Sequence, residues 1–143
     1  MWKTFMFPKF EFNRMSLGLL VLRLIAGTAF VLHGWGKIQN PMAWMGPEAP
    51  VPGFLQLLAA VSEFGGGIAW IFGLLTPLAS FGIAATMAVA VYTHAVVMGD
   101  PFVSKGAGAW ELAALYWAIA LLLIFVGPGK FSLDHAIHNR LRK

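Results

Sequence analysis

The sequence predicts an all-α membrane protein, a bundle of four transmembrane helices that run up and down with both termini in the cytoplasm. Of its 143 residues, 59% are hydrophobic and only 11% are charged, whereas soluble domains carry about 25% charged residues. Four apolar segments are each long enough to cross a hydrocarbon layer of about 30 Å. They are residues 15–35, 54–75, 77–98 and 107–126.

The positions of the basic residues predict the orientation. Lysine and arginine are frequent in both terminal segments, while the loops on the opposite side hold only Lys37 and Lys105. Because cytoplasmic segments carry the excess of these residues, both termini are expected inside. Contact with anionic membrane lipids accounts for the net charge of +4, so we expect no nucleic-acid partner.

The first elements follow from composition. Residues 1–14 are aromatic and basic, a composition typical of a segment at the headgroup level. The first span contains Arg23 and no persuasive small-residue cleavage site, so we expect it to stay in the mature protein and not to be a signal peptide. The linker 37–53 contains four prolines and Trp44, which favours a folded cap over the outer mouth.

Short connections order the remaining elements. Only residues 76–77 separate the second and third spans, so these spans are expected to be antiparallel neighbours. A Gly-Pro-Gly sequence ends the fourth span, and a short basic helix beginning at Ser132 or Asp134 is expected after it. The predicted division is an interfacial segment 1–14, a four-helix domain 15–126 and a basic cytoplasmic tail 127–143.

Two charged residues lie deep in the predicted spans. Arg23 is about 12 Å and Glu63 about 18 Å above the inner end of its helix, a difference that an arginine side chain can bridge. Unpartnered charges at the bilayer centre cost at least ~2.5–3.5 kcal/mol. The sequence therefore predicts an Arg23–Glu63 ion pair that acts as a structural floor or a proton relay. Gly27, Gly34 and Gly67 share the faces of these charges and would let the helices approach closely.

A second polar group is predicted at the outer end of the bundle. Two histidines and a glutamate from three different helices lie about 24–27 Å above the inner ends of their helices. A lysine and two tryptophans lie near the same level. The candidate ligand-binding residues are His33, Trp35, Lys37, His94, Trp110 and Glu111.

Several ligands fit such a group. A quinone is flat, enters from lipid, and needs hydrogen-bond donors and a proton exchanger. His33 and His94 could instead be axial ligands of a b-type haem, or form a metal site with Glu111. A small transporter is a further alternative. The remaining alternative is that these polar residues only hold the helices together.

The order and spacing of six features resemble the DoxX family of small four-helix membrane proteins. They are Arg23, the HGWGK of 33–37, the SEFGGG of 62–67, the LLTPLA of 74–79, Glu111 and the GPGKFSLD of 127–134. The resemblance extends from about residue 17 to about residue 137. It implies a multi-pass protein of a bacterial or archaeal cytoplasmic membrane, linked to quinones or respiratory redox chemistry.

Two functional hypotheses follow. The first is a membrane subunit of a quinone-linked oxidoreductase that works with a partner redox subunit. The chain has no cysteine, which excludes thiol redox chemistry and cysteine-ligated iron–sulfur clusters in this subunit. The second is a non-catalytic anchor or assembly subunit held together by the Arg23–Glu63 pair. Whether the chain is itself an enzyme, and whether it forms homo-oligomers, stays open at this point.

Overall fold

The computed structural model describes residues 12–106 and 108–141, and all regular secondary structure in these ranges is helical. The helices are α1 (Phe12–Gln39), α2 (Gly53–Phe72), α3 (Thr76–Tyr92), α4 (Glu111–Val126) and α5 (Leu133–Leu141). A π-helical turn, Thr93–Val97, continues α3. The predicted all-α class is confirmed. Of the predicted interfacial segment 1–14, residues 1–11 lie outside the described residues, and residues 12–14 belong to α1.

Three of the described helices are long and apolar enough to cross a membrane: α1, α2, and α3 with its π-helical turn. The helix α1 has 28 residues, which correspond to about 42 Å. The helix α4 is also apolar but has only 16 residues, about 24 Å, which is less than the hydrocarbon thickness of ~30 Å. The fourth span and the orientation therefore stay predictions.

The helices pack in chain order, α1 against α2, α2 against α3 and α3 against α4. Aromatic side chains fill the centre of this packing. The ring of Phe30 on α1 meets Trp70 on α2 edge to face, with centroids 5.4 Å apart, and meets Tyr116 on α4 at 4.8 Å. Phe30, Trp70, Ile83 and Leu123 are almost completely buried, so α1, α2, α3 and α4 all contribute to one core.

Glycines bring α1 and α2 unusually close together. A Cβ on Gly27 would lie 2.8 Å from the carbonyl oxygen of Gly67, and one on Gly34 would lie 2.5 Å from the backbone nitrogen of Phe64. Side chains at these positions would force the helices apart. The predicted close approach of the two faces that carry Arg23 and Glu63 is confirmed, since both residues are buried there.

The C-terminal segment folds back onto the turn between α2 and α3. Gly73 ends α2 in a left-handed conformation, with φ of 63°. The carboxylate of Asp134 accepts hydrogen bonds from the backbone nitrogens of Leu75, at 2.7 Å, and Thr76, at 2.8 Å, and so caps the start of α3. Ser132 Oγ accepts from the backbone nitrogen of His135 at 3.2 Å. The predicted short helix after the Gly-Pro-Gly sequence is confirmed.

The linker between α1 and α2 is folded, as predicted. The side chain of Gln56 holds it, because its Oε1 accepts from the backbone nitrogen of Met45 at 3.0 Å and its Nε2 donates to the carbonyl of Val51 at 2.9 Å. Gln56 is 3% exposed. One buried side chain thus holds the middle and the second end of a proline-rich segment against α2.

Candidate functional site

An ion pair between α1 and α2 lies under this linker. The Nζ of Lys37 is 2.6 Å from both carboxylate oxygens of Glu63. The side chain of Glu63 is 3% exposed and that of Lys37 is 25% exposed. The close contact of Gly34 with Phe64 brings the two helices together at this level, one turn before Lys37. The carboxylate is therefore buried, while its partner reaches the protein surface.

The predicted Arg23–Glu63 pair is wrong. Arg23 is completely buried, but its guanidinium donates to the carbonyl oxygens of Trp70 and Phe131. Because α2 runs antiparallel to α1, Arg23 lies beside the last turn of α2, and Trp70 is about 10 Å along the helix from Glu63. The heights counted from the predicted helix ends placed Arg23 too near Glu63. Lys37 is the residue that pairs with Glu63.

Arg23 instead fastens the end of the bundle where α1 begins and α2 ends. Its NH1 lies where a side chain on Gly73 would begin, so the glycine makes room for the guanidinium. Asp134 attracts Arg23 electrostatically while its oxygens cap α3. The arginine and the aspartate together hold the C-terminal segment against the α2–α3 turn, which is a structural role.

One aromatic ring contacts the Lys37–Glu63 ion pair, and a second aromatic contact lies near it. The Nζ of Lys37 lies 4.6 Å from the centroid of the Trp44 ring, within the range of a cation–π interaction. The indole nitrogen of Trp44 donates to the carbonyl of Gln56 at 3.0 Å, which fixes the ring. Trp35, which is 57% exposed, packs at 5.8 Å against Phe64.

The other predicted ligand-binding residues do not converge on one cluster. His33 is exposed on α1 and Glu111 is exposed at the start of α4. His94 is hydrogen-bonded through Nδ1 to Asp100 at 2.7 Å, and Trp110 packs against Phe102 at 4.5 Å. Residues 12–106 and 108–141 contain no group of three potential metal-ligating side chains. The ligand-binding roles of these residues remain predictions.

The Lys37–Glu63 pair has the chemistry of a proton-exchanging site. An ammonium group has three N–H donors, and the geometry directs Lys37 toward both oxygens of Glu63. Two oxygens use two of these donors, so one N–H of the Lys37 side chain, which is 25% exposed, is left for a ligand oxygen. Sequence reasoning identified both residues but not their contact. The glycines at 27, 34 and 67 determine how α1 and α2 align, so they were the sequence feature that could have indicated the Lys37–Glu63 contact.

Comparison with known proteins identifies relatives across most of the chain. The family model DoxX matches residues 18–96, more than half of the chain. A Haemophilus influenzae protein named "Uncharacterized protein" is 34% identical over 85% of this chain and 92% of its own length. The Escherichia coli "Inner membrane protein YqjF" is 32% identical over 87% and 95%. The Bacillus subtilis "Putative oxidoreductase CatD" is 31% identical over 83% and 86%. No solved structure is significantly similar.

These findings establish the location of the protein. The described chain contains three helices of spanning length and composition, and the Escherichia coli relative is named as an inner membrane protein. The protein is a multi-pass protein of the inner membrane, in contact with lipid along its exposed apolar helix faces, as predicted.

Proposed function

Because the chain belongs to the DoxX family, we propose that it is the membrane subunit of a quinone-linked oxidoreductase and that a quinone headgroup binds at Lys37. The observation that carries the proposal is the buried Glu63 carboxylate, which contacts the quarter-exposed Lys37 at 2.6 Å. The Bacillus subtilis relative is named as an oxidoreductase, which supports redox chemistry.

The proposed reaction assigns one task to each group. A quinone becomes a quinol by taking two electrons and two protons. The electrons come from a partner subunit that carries an electron-transfer cofactor, because this chain has no cysteine with which to hold a cluster. Lys37 donates a hydrogen bond and then one proton to a quinone oxygen, and water at the headgroup level supplies the second proton to the other oxygen. Glu63 positions the ammonium group through its two oxygens, and a proton from the outer water replaces the one that Lys37 has given up.

The ligand would reach Lys37 from the lipid. His33 lies one turn before Lys37 and is exposed, so it can contact the same headgroup from the lipid side. Trp44 supplies a flat apolar surface next to Lys37, and the exposed ring of Trp35 packs nearby on Phe64, the residue after Glu63. The chain order of α3 and α4 brings His94, Trp110 and Glu111 to the same end of the bundle, where they would complete the site toward a partner subunit.

A quinone site on the outer side requires the predicted topology of four spans with both termini inside. The absence of native cysteine allows a direct test of this topology. Single cysteines replacing Ser104, in the loop before α4, and Asn139, on α5, can be labelled in spheroplasts with a membrane-impermeant maleimide. We expect labelling at 104 before permeabilisation and at 139 only afterwards. The reverse pattern, or labelling of both sites without permeabilisation, would refute this topology.

Quinone retention tests the proposed ligand. The detergent-purified protein should carry about one quinone per chain in its lipid extract, and Lys37→Met should lose it. Lys105→Met removes the same charge from an exposed position in an outer loop and should retain the quinone. Absence of quinone from the parent protein, or equal retention in Lys37→Met, would contradict the proposal.

The second candidate is an anchor or assembly subunit without a ligand. It is favoured by the inner contacts of Arg23 and Asp134, which use buried charge only to hold the C-terminal segment. This candidate predicts that Lys37→Met alters stability without altering any redox activity of the membrane. Normal quinone reduction in membranes that contain Lys37→Met would support it over the first.

A further inference from the structure

A cleft lies at the end of α1 opposite the Lys37–Glu63 pair. It has a volume of about 440 Å³ and lies between the first turns of α1, the start of α3 and the helix α5. Its walls are mainly apolar, with Met15 and Leu19 on one side and Val126 and Pro128 on the other. The volume is in the range of small-molecule sites, and the walls suit a hydrocarbon chain.

A lysine lies beside the cleft, next to one of its lining residues. Lys130 Nζ lies 4.7 Å from the centroid of the Phe12 ring, which lines the cleft, and is held there by Asn13 Oδ1 at 2.8 Å. His135 and His138 of α5 also line it. The rim thus presents a fixed lysine at the level where the predicted orientation puts lipid phosphates.

The acidic residue in the cleft is directed at the start of α3. Asp134 lines the cleft, and its two oxygens accept hydrogen bonds from the backbone nitrogens of Leu75 and Thr76. These bonds hold the carboxylate at the α3 end of the cleft, while Lys130 supplies an exposed positive charge at the rim.

We propose that this cleft binds an anionic phospholipid, with one acyl chain between Met15 and Val126 and the phosphate at Lys130 and His138. Charge complementarity favours an anionic headgroup over a zwitterionic one, because basic residues next to a membrane span attract anionic lipid. The apolar walls take the chain, which distinguishes this site from general attraction to the membrane surface.

Native mass spectrometry of the full-length protein tests the proposal, with phosphatidylglycerol and phosphatidylcholine of identical acyl chains offered together. The parent should retain phosphatidylglycerol preferentially. Lys130→Gln should reduce that preference about fivefold, the effect of one basic residue at a membrane surface. Lys105→Gln removes the same charge at the other end of the molecule and should leave the preference unchanged.

A cleft-filling variant tests whether the acyl chain lies inside. Met15→Trp should lower retention of phosphatidylglycerol, and an unchanged melting temperature in detergent will show that the variant is folded. If it does not fold, Val126→Trp serves on the opposite wall. Three outcomes would each overturn the proposal. The parent could retain the two lipids equally, Lys130→Gln and Lys105→Gln could lose phosphatidylglycerol equally, or the folded cleft-filling variant could retain it fully.

Discussion

Removal of the buried carboxylate, in Glu63→Gln, gives the sharpest prediction for the Lys37–Glu63 ion pair. In the parent, Lys37 contacts two charged oxygens at 2.6 Å, whereas glutamine offers one neutral oxygen. Breaking a buried ion pair by removing one partner costs about 3–5 kcal/mol. Because the Lys37 side chain is 25% exposed and can turn toward water, we expect the loss to be smaller, about 2–3 kcal/mol.

The assay is reversible unfolding in mixed detergent micelles, followed by tryptophan fluorescence. A loss of this size corresponds to a fall of roughly 4–12 °C in the melting temperature of a protein of this length. A double-mutant cycle with Lys37→Met isolates the interaction itself, and we expect a coupling energy of about 1.5–3 kcal/mol, as for hydrogen bonds to charged groups.

The matched control cycle combines Glu63→Gln with Arg23→Met. Arg23 contacts Trp70 and Phe131 and not Glu63, so the two effects should add to within about 0.5 kcal/mol. Strong coupling of Glu63 to Arg23 together with additivity toward Lys37 would refute the assignment of the pair.

The remaining predictions concern the packing of α1 against α2 and the contacts at the turn between α2 and α3. Gly34→Ala should destabilise the fold by about 1–3 kcal/mol, because its Cβ would lie 2.5 Å from the α2 backbone. Gly36→Ala, which has open space around it, should be neutral or slightly stabilising. Equal melting temperatures for these two variants would contradict the helix crossing. Gly73→Ala should cost at least about 1–2 kcal/mol from its left-handed backbone alone, and more from the clash with Arg23; stability equal to the parent would refute that contact. Asp134→Ala should lose about 0.5–2 kcal/mol with the cap of α3, measured by the same unfolding assay, and an unchanged midpoint would count against the cap.

The sequence predicts the helices well because their signals are local. Length and hydropathy locate α1, α2 and α3 within a few residues of their observed ends. The glycines at 27, 34 and 67 predict a close approach of two helices, because a position without a side chain lets a neighbouring backbone come near whichever residue lies opposite. Proline and buried Gln56 give the linker its folded form, although only the prolines are evident as a signal beforehand.

The candidate site depends on quantities that the sequence does not contain. Spacing along a helix gives the height of a side chain. It does not give the rotation of the helix about its own axis, which decides whether that side chain faces another helix or the lipid. His33, His94 and Glu111 share a height, yet two of them are exposed. The predicted heights also understated the separation of Arg23 and Glu63 along the helix axis by about 4 Å, and Lys37 is the partner of Glu63 instead. Antiparallel register, set by glycine contacts, decides such pairs.

Direct binding of a short-chain benzoquinone tests the central claim that the Lys37–Glu63 pair is the functional site. The informative protein is the double variant Lys37→Met/Glu63→Leu, because replacing both members of a buried pair with apolar residues can preserve stability. Its dissociation constant should rise at least about tenfold above that of the parent, a loss of roughly 1.4 kcal/mol, while its melting temperature stays within a few degrees. An equal dissociation constant in a folded double variant would contradict the claim.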